Sequence, residues 1–147
     1  TPILKDIFKQ KEKPLARRGT RLTLNLKEYL PAILFDPTQL DFVLRSVLEN
    51  VLSTMEENKD LRLTMDLVEK GVGQNRFVEL VVWYDGQDGI IRNIQKAFGP
   101  EGGLNFENLS LAMALARKVM VRNQGDMLVS QEVGIGTTIL LHFPVAG

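Results

Sequence analysis

Apolar and polar positions change their period several times along the chain, and each change predicts an element. Ile3, Leu4, Ile7, Phe8 and Leu15 recur at near-helical spacing from about Pro2 to Arg18. Gly19 follows where a helix end favours a left-handed residue, and Pro14 predicts a kink or a split. From Arg21 to Leu26 the residues alternate, as a strand with one buried face requires, and Ala32-Ile33-Leu34-Phe35 is its expected partner. Asp36-Pro37-Thr38-Gln39 then reads as a helix start. Asp36 caps, Pro37 takes the first helical position, and Gln39 is placed to reach back to the cap.

From Leu40 to Met55, Val43, Leu44, Val47, Leu48, Val51, Leu52 and Met55 form a broad apolar stripe, with Ser46, Asn50 and Ser53 along its edge. Leu61, Leu63, Met65 and Leu67 alternate with Arg62, Thr64 and Asp66, which predicts a strand with one wet face. Phe77 to Tyr84 is nearly all apolar and reads as a central strand, joined to its predecessor through a hairpin-like turn at Gly71-Val72-Gly73-Gln74-Asn75. The polar, glycine-rich stretch from Arg92 to about Asn105 is expected to be a mobile loop. A third helix is predicted from about Glu107 to Arg122, followed by Gly125. Two strands complete the pattern, Asp126 to Gln131 and Thr137 to Phe143, joined around Gly134-Ile135-Gly136. The expected fold class is an α/β two-layer sandwich: a mixed, largely antiparallel sheet of about five strands with three helices on one face.

A length of 147 residues fits one domain spanning the whole sequence, a fragment of a longer protein. With 18 basic and 18 acidic residues there is no net field to gather nucleic acid or anionic lipid, so neither is an expected partner. The absence of cysteine excludes disulfides and thiolate metal sites, fits a reducing compartment, and leaves His142 as the only imidazole; no zinc site is expected. No apolar run reaches the ~20 residues needed to cross a bilayer, so no direct membrane insertion of this domain is expected. His142 alternates with Leu141 and Phe143 on a strand, which marks it as structural or surface, not as a phosphoacceptor.

Several sequence features carry the candidate chemistry. Asn50 sits on the helical stripe, and its amide oxygen can ligate a hard cation that bridges phosphate oxygens. Asp85 ends a strand, and its carboxylate can accept a hydrogen bond from an adenine amine. Gly86 and Gly89 would let backbone approach a base that Ile90 covers. The loop from Arg92 to Asn105 would lie over the phosphates, with Lys96 and Arg92 near and the third helix aiming amides at them. Each feature also has a plain reading: Asp85-Gly86 as a turn, Asn50 as a polar residue edging an apolar stripe, Asn108 and Ser110 as helix caps, and Gly134 to Thr138 as a strand connection.

The succession Leu48-Glu49-Asn50-Val51, Asp85-Gly86-Gln87-Asp88-Gly89-Ile90 and Gly134-Ile135-Gly136-Thr137-Thr138 resembles the superfamily of histidine kinase, gyrase, Hsp90 and MutL ATPases. Most of all it resembles the sensor histidine kinase catalytic domain, over essentially the whole chain. The resemblance implies a Bergerat-type ATP-binding fold with ATP and Mg2+ as cofactors. It makes Asn50 the metal-ligating Asn, Asp85 the adenine-binding Asp, Phe98 the end of a Phe-containing box from Ile94, and Gly136 and Thr137 part of the last glycine element. Asn108, Leu109 and Ser110 fall where the second glycine box would be.

The sequence departs from the family at Ser46, Ser53, Gln87, Asn108 and Ser110, where Asn, a basic residue and glycines are usual. The implied function is an ATP-dependent protein histidine kinase, with no catalytic residue inside this fragment. The implied partners are a histidine-bearing dimerisation domain, in cis or in trans, and a response regulator. The implied location is cytoplasmic, with the parent protein soluble or membrane-anchored. The alternative is a degenerate pseudokinase domain with weak or no nucleotide binding that serves as an interaction or signal-relay module.

Overall fold

The alternating stretch 61–67 and the nearly all-apolar stretch 77–84 become neighbouring strands of a single sheet in the computed structural model. The structure describes positions 6, 9, 10, 13 and 17 and residues 19–27, 29–54, 59–70, 75–85, 111–132 and 136–146. The described residues form five strands: β1 (Arg21–Leu26), β2 (Asp60–Lys70), β3 (Asn75–Tyr84), β4 (Asp126–Glu132) and β5 (Gly136–Pro144). They pair in the order β1-β2-β3-β5-β4, with β1 and β2 parallel and every other pair antiparallel. This is the mixed, largely antiparallel sheet that the pattern predicts.

Two helices, α1 (Pro37–Thr54) and α2 (Leu111–Arg122), share one core with the sheet. Three were expected, and the difference lies in the opening stretch. There Asp6, Lys9, Gln10, Lys13 and Arg17 are helical and exposed, while the rest of Pro2 to Arg18 falls outside the described residues. Gly19 has φ 68°, the left-handed conformation expected of it. Gln10 accepts a 2.7 Å hydrogen bond from Arg45 Nη1, which ties this stretch to α1.

The stripe on α1 buries Val43, Leu44, Val47, Leu48 and Val51, and α2 adds Met113, Ala116 and Met120. Facing them are Leu61, Leu63 and Met65 of β2, Val78, Leu80, Val82 and Tyr84 of β3, Met127 of β4, and Ile139, Leu141 and Phe143 of β5. Burying each large aliphatic side chain contributes about 1.5–3 kcal/mol against leaving it in water. Phe35, just before α1, closes this layer edge-on against Phe143 with ring centroids 5.4 Å apart.

Two local expectations change. Ile33 bridges Val145 antiparallel, beyond the end of β5, and the partner of β1 is β2. The hydrophobic pattern gives each segment its faces but does not choose among partners. At the start of α1 the cap forms as expected, with the Gln39 amide donating to Asp36 Oδ1 at 3.0 Å. The Gln39 side chain, however, does not return to the cap: its Oε1 accepts from Asn123 Nδ2 at 2.7 Å, joining the first turn of α1 to the residue just past α2.

The end of α2 is closed by the Gln124 amide donating to Val121 O at 3.0 Å and the Gly125 amide donating to Met120 O at 2.9 Å. Gln124, with φ 65°, is the left-handed residue of this cap. Gly125 meets another need, because a Cβ there would run into the backbone carbonyl oxygen of His142.

Candidate functional site

Strand directions decide which candidate residues meet. β2 begins, β3 ends and β5 begins at one end of the sheet, where Leu61 pairs with Tyr84 and Tyr84 with Thr137. Asp85, Gly136 and Thr137 therefore share this end. The connection from β1 to the parallel β2 passes through α1, so α1 runs against both strands and finishes at the same end. Asn50 lies near the C-terminus of α1, which brings it to the end that holds Asp85. In contrast, α2 leads into β4, whose first residues pair with the far part of β5, so its N-terminus is directed toward the Asp85 end. The two helices are joined at the far end by Gln39 and Asn123.

The residues at this end are held by specific contacts. Asp85 is half-buried, and its amide donates to Asp60 O at 3.1 Å, which anchors the backbone just past β3. Tyr84, immediately before it, is fully buried, as is Thr137. Asn50 is half-buried. One turn earlier Ser46 is only 7% exposed, inside the stripe and not on its edge, so the short side chain accommodates packing of the helix. Gly86, Gly89, Ile90, Phe98, Asn108, Leu109 and Ser110 lie outside the described residues, as do Gln87, Gly134 and the stretch 92–105.

Gly136 has a structural reason to be glycine. A Cβ there would stand 2.6 Å from Tyr84 O and 2.9 Å from both Cζ2 and Nε1 of Trp83. The indole of Trp83 lies on the face of the sheet away from the helices, and the guanidinium carbon of Arg62 sits 4.5 Å from its ring centroid. The sequence reading passed over Trp83. Its signal was available: this is the only tryptophan, two residues before Asp85 on a strand otherwise filled with smaller side chains.

Asn50 offers an amide oxygen and Asp85 a carboxylate at one end of the fold. The amide oxygen suits a cation delivered with a phosphorylated ligand, because magnesium keeps waters and phosphate oxygens and takes only one or two protein groups, and the carboxylate suits an amine donor such as that of adenine. Among the described residues no cluster of three or more His, Cys, Asp or Glu is arranged to hold a metal by itself. His142 is 3% exposed and paired with Glu79, so its role is structural. No helix among the described residues is long and apolar enough to cross a membrane.

No family model matches the sequence, and no curated protein does. Solved structures match the fold. The nucleotide-free catalytic domain of histidine kinase ThkA superposes with a TM-score of 0.76 at 16% identity, over 98% of this chain and 92% of that one. ThkA in complex with the response regulator protein TrrA gives 0.74 at 17%, over 99% of this chain and 40% of that one. Full-length ShkA in complex with AMPPNP gives 0.72 at 20%, over 99% and 30%. The chain thus has the fold of histidine kinase catalytic domains, and the resemblance stated from its motifs holds at the level of fold.

Proposed function

We propose that this chain, sharing its fold with histidine kinase catalytic domains, is the ATP-binding domain of a two-component sensor kinase. The observation that carries the reading is the gathering of Asn50 and Asp85 at one end of a fold that matches ThkA over 98% of the chain. In this reading Asp85 accepts a hydrogen bond from the adenine amine, and its backbone anchor to Asp60 O holds the carboxylate in register. Asn50 supplies an amide oxygen to the metal, and the N-terminus of α2 faces the phosphates. Bound magnesium and ATP would supply charge neutralisation and the transferable phosphoryl group. Gly86, Gly89, Ile90, Phe98, Asn108, Leu109, Ser110, Gly136 and Thr137 complete the proposed nucleotide contacts.

The acceptor is a histidine on a separate dimerisation domain, and a response regulator receives the phosphoryl group next. ThkA, solved with the response regulator protein TrrA, supports the second kind of partner, and full-length ShkA, solved with AMPPNP, supports the nucleotide. The domain belongs to a longer cytoplasmic or membrane-anchored chain, and alone it carries out no autophosphorylation.

A second reading, a pseudokinase module with weak or no nucleotide binding, is favoured by Ser46. Its short side chain is buried in the apolar stripe where the family presents an Asn. Calorimetric titration of the domain with ATP and a non-hydrolysable analogue, with and without magnesium, separates the two readings. Saturable, magnesium-dependent heat that disappears in Asn50→Ala and Asp85→Ala supports the kinase reading. No heat at millimolar nucleotide overturns it in favour of the interaction module.

A further inference from the structure

Gly136, Thr138 and Leu140 face the side of the sheet opposite the helices, as do Trp83 and Val81 of β3 and Arg62 and Thr64 of β2. On this side Arg62, Trp83 and Gly136 form a stack across three strands. Arg62 is the direct cross-strand partner of Trp83, and its guanidinium carbon lies 4.5 Å from the ring centroid. Trp83 is paired with Thr138, which puts Gly136 on the diagonal, where a large ring can reach. The ring fills the space that a side chain on Gly136 would take, with Cζ2 and Nε1 each 2.9 Å from the position of the missing Cβ. An aromatic ring covering a cross-strand glycine is a known way to stabilise a sheet. The position of this one gives it a second consequence.

Trp83 lies between Asp85 and Gly136, two of the proposed nucleotide contacts. It stands two residues before Asp85, whose amide is fixed to Asp60 O, and it supports the first residue of β5 from beneath. A side chain on Gly136 would also meet Tyr84 O, so the two strands leave no room for one. We infer that Trp83 is a positioning residue for nucleotide binding. Its indole, held by Arg62, sets the height of Gly136 and Thr137 relative to Asp85, and it senses occupancy of that end of the sheet. This rests on the ATP-binding reading above.

The test uses the 147-residue chain, in which Trp83 is the only tryptophan. Emission of Trp83 is followed during titration with Mg-ATP, in parallel with calorimetry. The expected result is a saturable emission change whose midpoint matches the calorimetric one. Trp83→Ala should weaken binding by about tenfold, and Trp83→Phe, which keeps a ring over Gly136, should recover affinity to within about threefold. Heat from the wild type with flat emission, or wild-type affinity in Trp83→Ala, overturns the inference while leaving nucleotide binding intact. No heat from the wild type overturns the nucleotide reading and this inference with it. Should Trp83→Ala fail to fold by circular dichroism, wild-type emission and Trp83→Phe decide.

Discussion

Nε2 of His142 lies 2.7 Å from Oε2 of Glu79, and this pair links β5 to β3 on the sheet face turned away from the helices. The imidazole is almost wholly buried and the carboxylate partly so, with the Phe77 ring tilted beside the histidine at 6.0 Å. Glu79→Ala removes one hydrogen-bond partner of a buried polar ring, and losing such a bond costs about 0.5–1.5 kcal/mol. Urea unfolding of the variant should show that loss at an unchanged m-value. A midpoint equal to the wild type's would mean the pair contributes nothing.

The Asp36 cap and the Gln39–Asn123 bond are separate devices, and their energies should behave so. Asp36→Ala should cost about 1 kcal/mol, typical of a lost cap. Gln39→Ala and Asn123→Ala should be non-additive with each other, because both delete one 2.7 Å hydrogen bond. Double-mutant cycles check this. Additivity between Gln39 and Asn123 would contradict the bond.

At Gly136 even a methyl group is too much. With Tyr84 O and the Trp83 ring both inside normal contact distance of the added carbon, Gly136→Ala should destabilise by roughly 1–3 kcal/mol, the cost of overpacking. Thermal unfolding measures it. A neutral substitution would show that β5 shifts there without strain.

Acid should act through Asp66. The backbone amide of Leu67 donates to its Oδ1 at 2.7 Å and Lys27 Nζ sits 3.2 Å away, and these hold the carboxyl below its ordinary value of 3.8, the backbone bond foremost. A carboxyl lowered in the folded state stabilises above its unfolded pKa and loses that contribution as pH falls through the folded one. The stability difference between wild type and Asp66→Asn should therefore shrink as pH falls from near 4. The side chain is exposed, so the effect is small and salt-sensitive. A constant difference between pH 6 and 2 would count against it.

The faces of the strands and the stripe of α1 were legible because apolar side chains at spacings of two or three to four have one way to reach a common core. Pairing was less legible. Leu22, Leu24 and Leu26 suit a neighbour on either side, and nothing local told that β1 would lie parallel to β2 and leave Ile33 to bridge Val145. Gln39 has the chemistry of a capping box, yet Asn123, far along the chain, takes its side chain. In the candidate site Asn50 and Asp85 were readable because their side chains name a chemistry. Trp83 was missed because its role depends on a glycine in another strand, a relation that appears only once β3 and β5 are paired.

The parallel start and the strand order also bear on the time course of folding. β2 and β3 are neighbours in sequence, whereas β3 must wait for β5, where Tyr84 meets Thr137 only after α2 and β4 have intervened. A sheet whose central strand joins a local partner to a distant one has a slow closing step, since chain entropy is lost before the distant contacts form. Substitutions in the β5 core such as Leu141→Ala should then mainly speed unfolding, and those in β2–β3 such as Leu63→Ala should slow refolding. Stopped-flow chevrons would separate the two limbs, and the reverse assignment would place the nucleus at the β3–β5 seam.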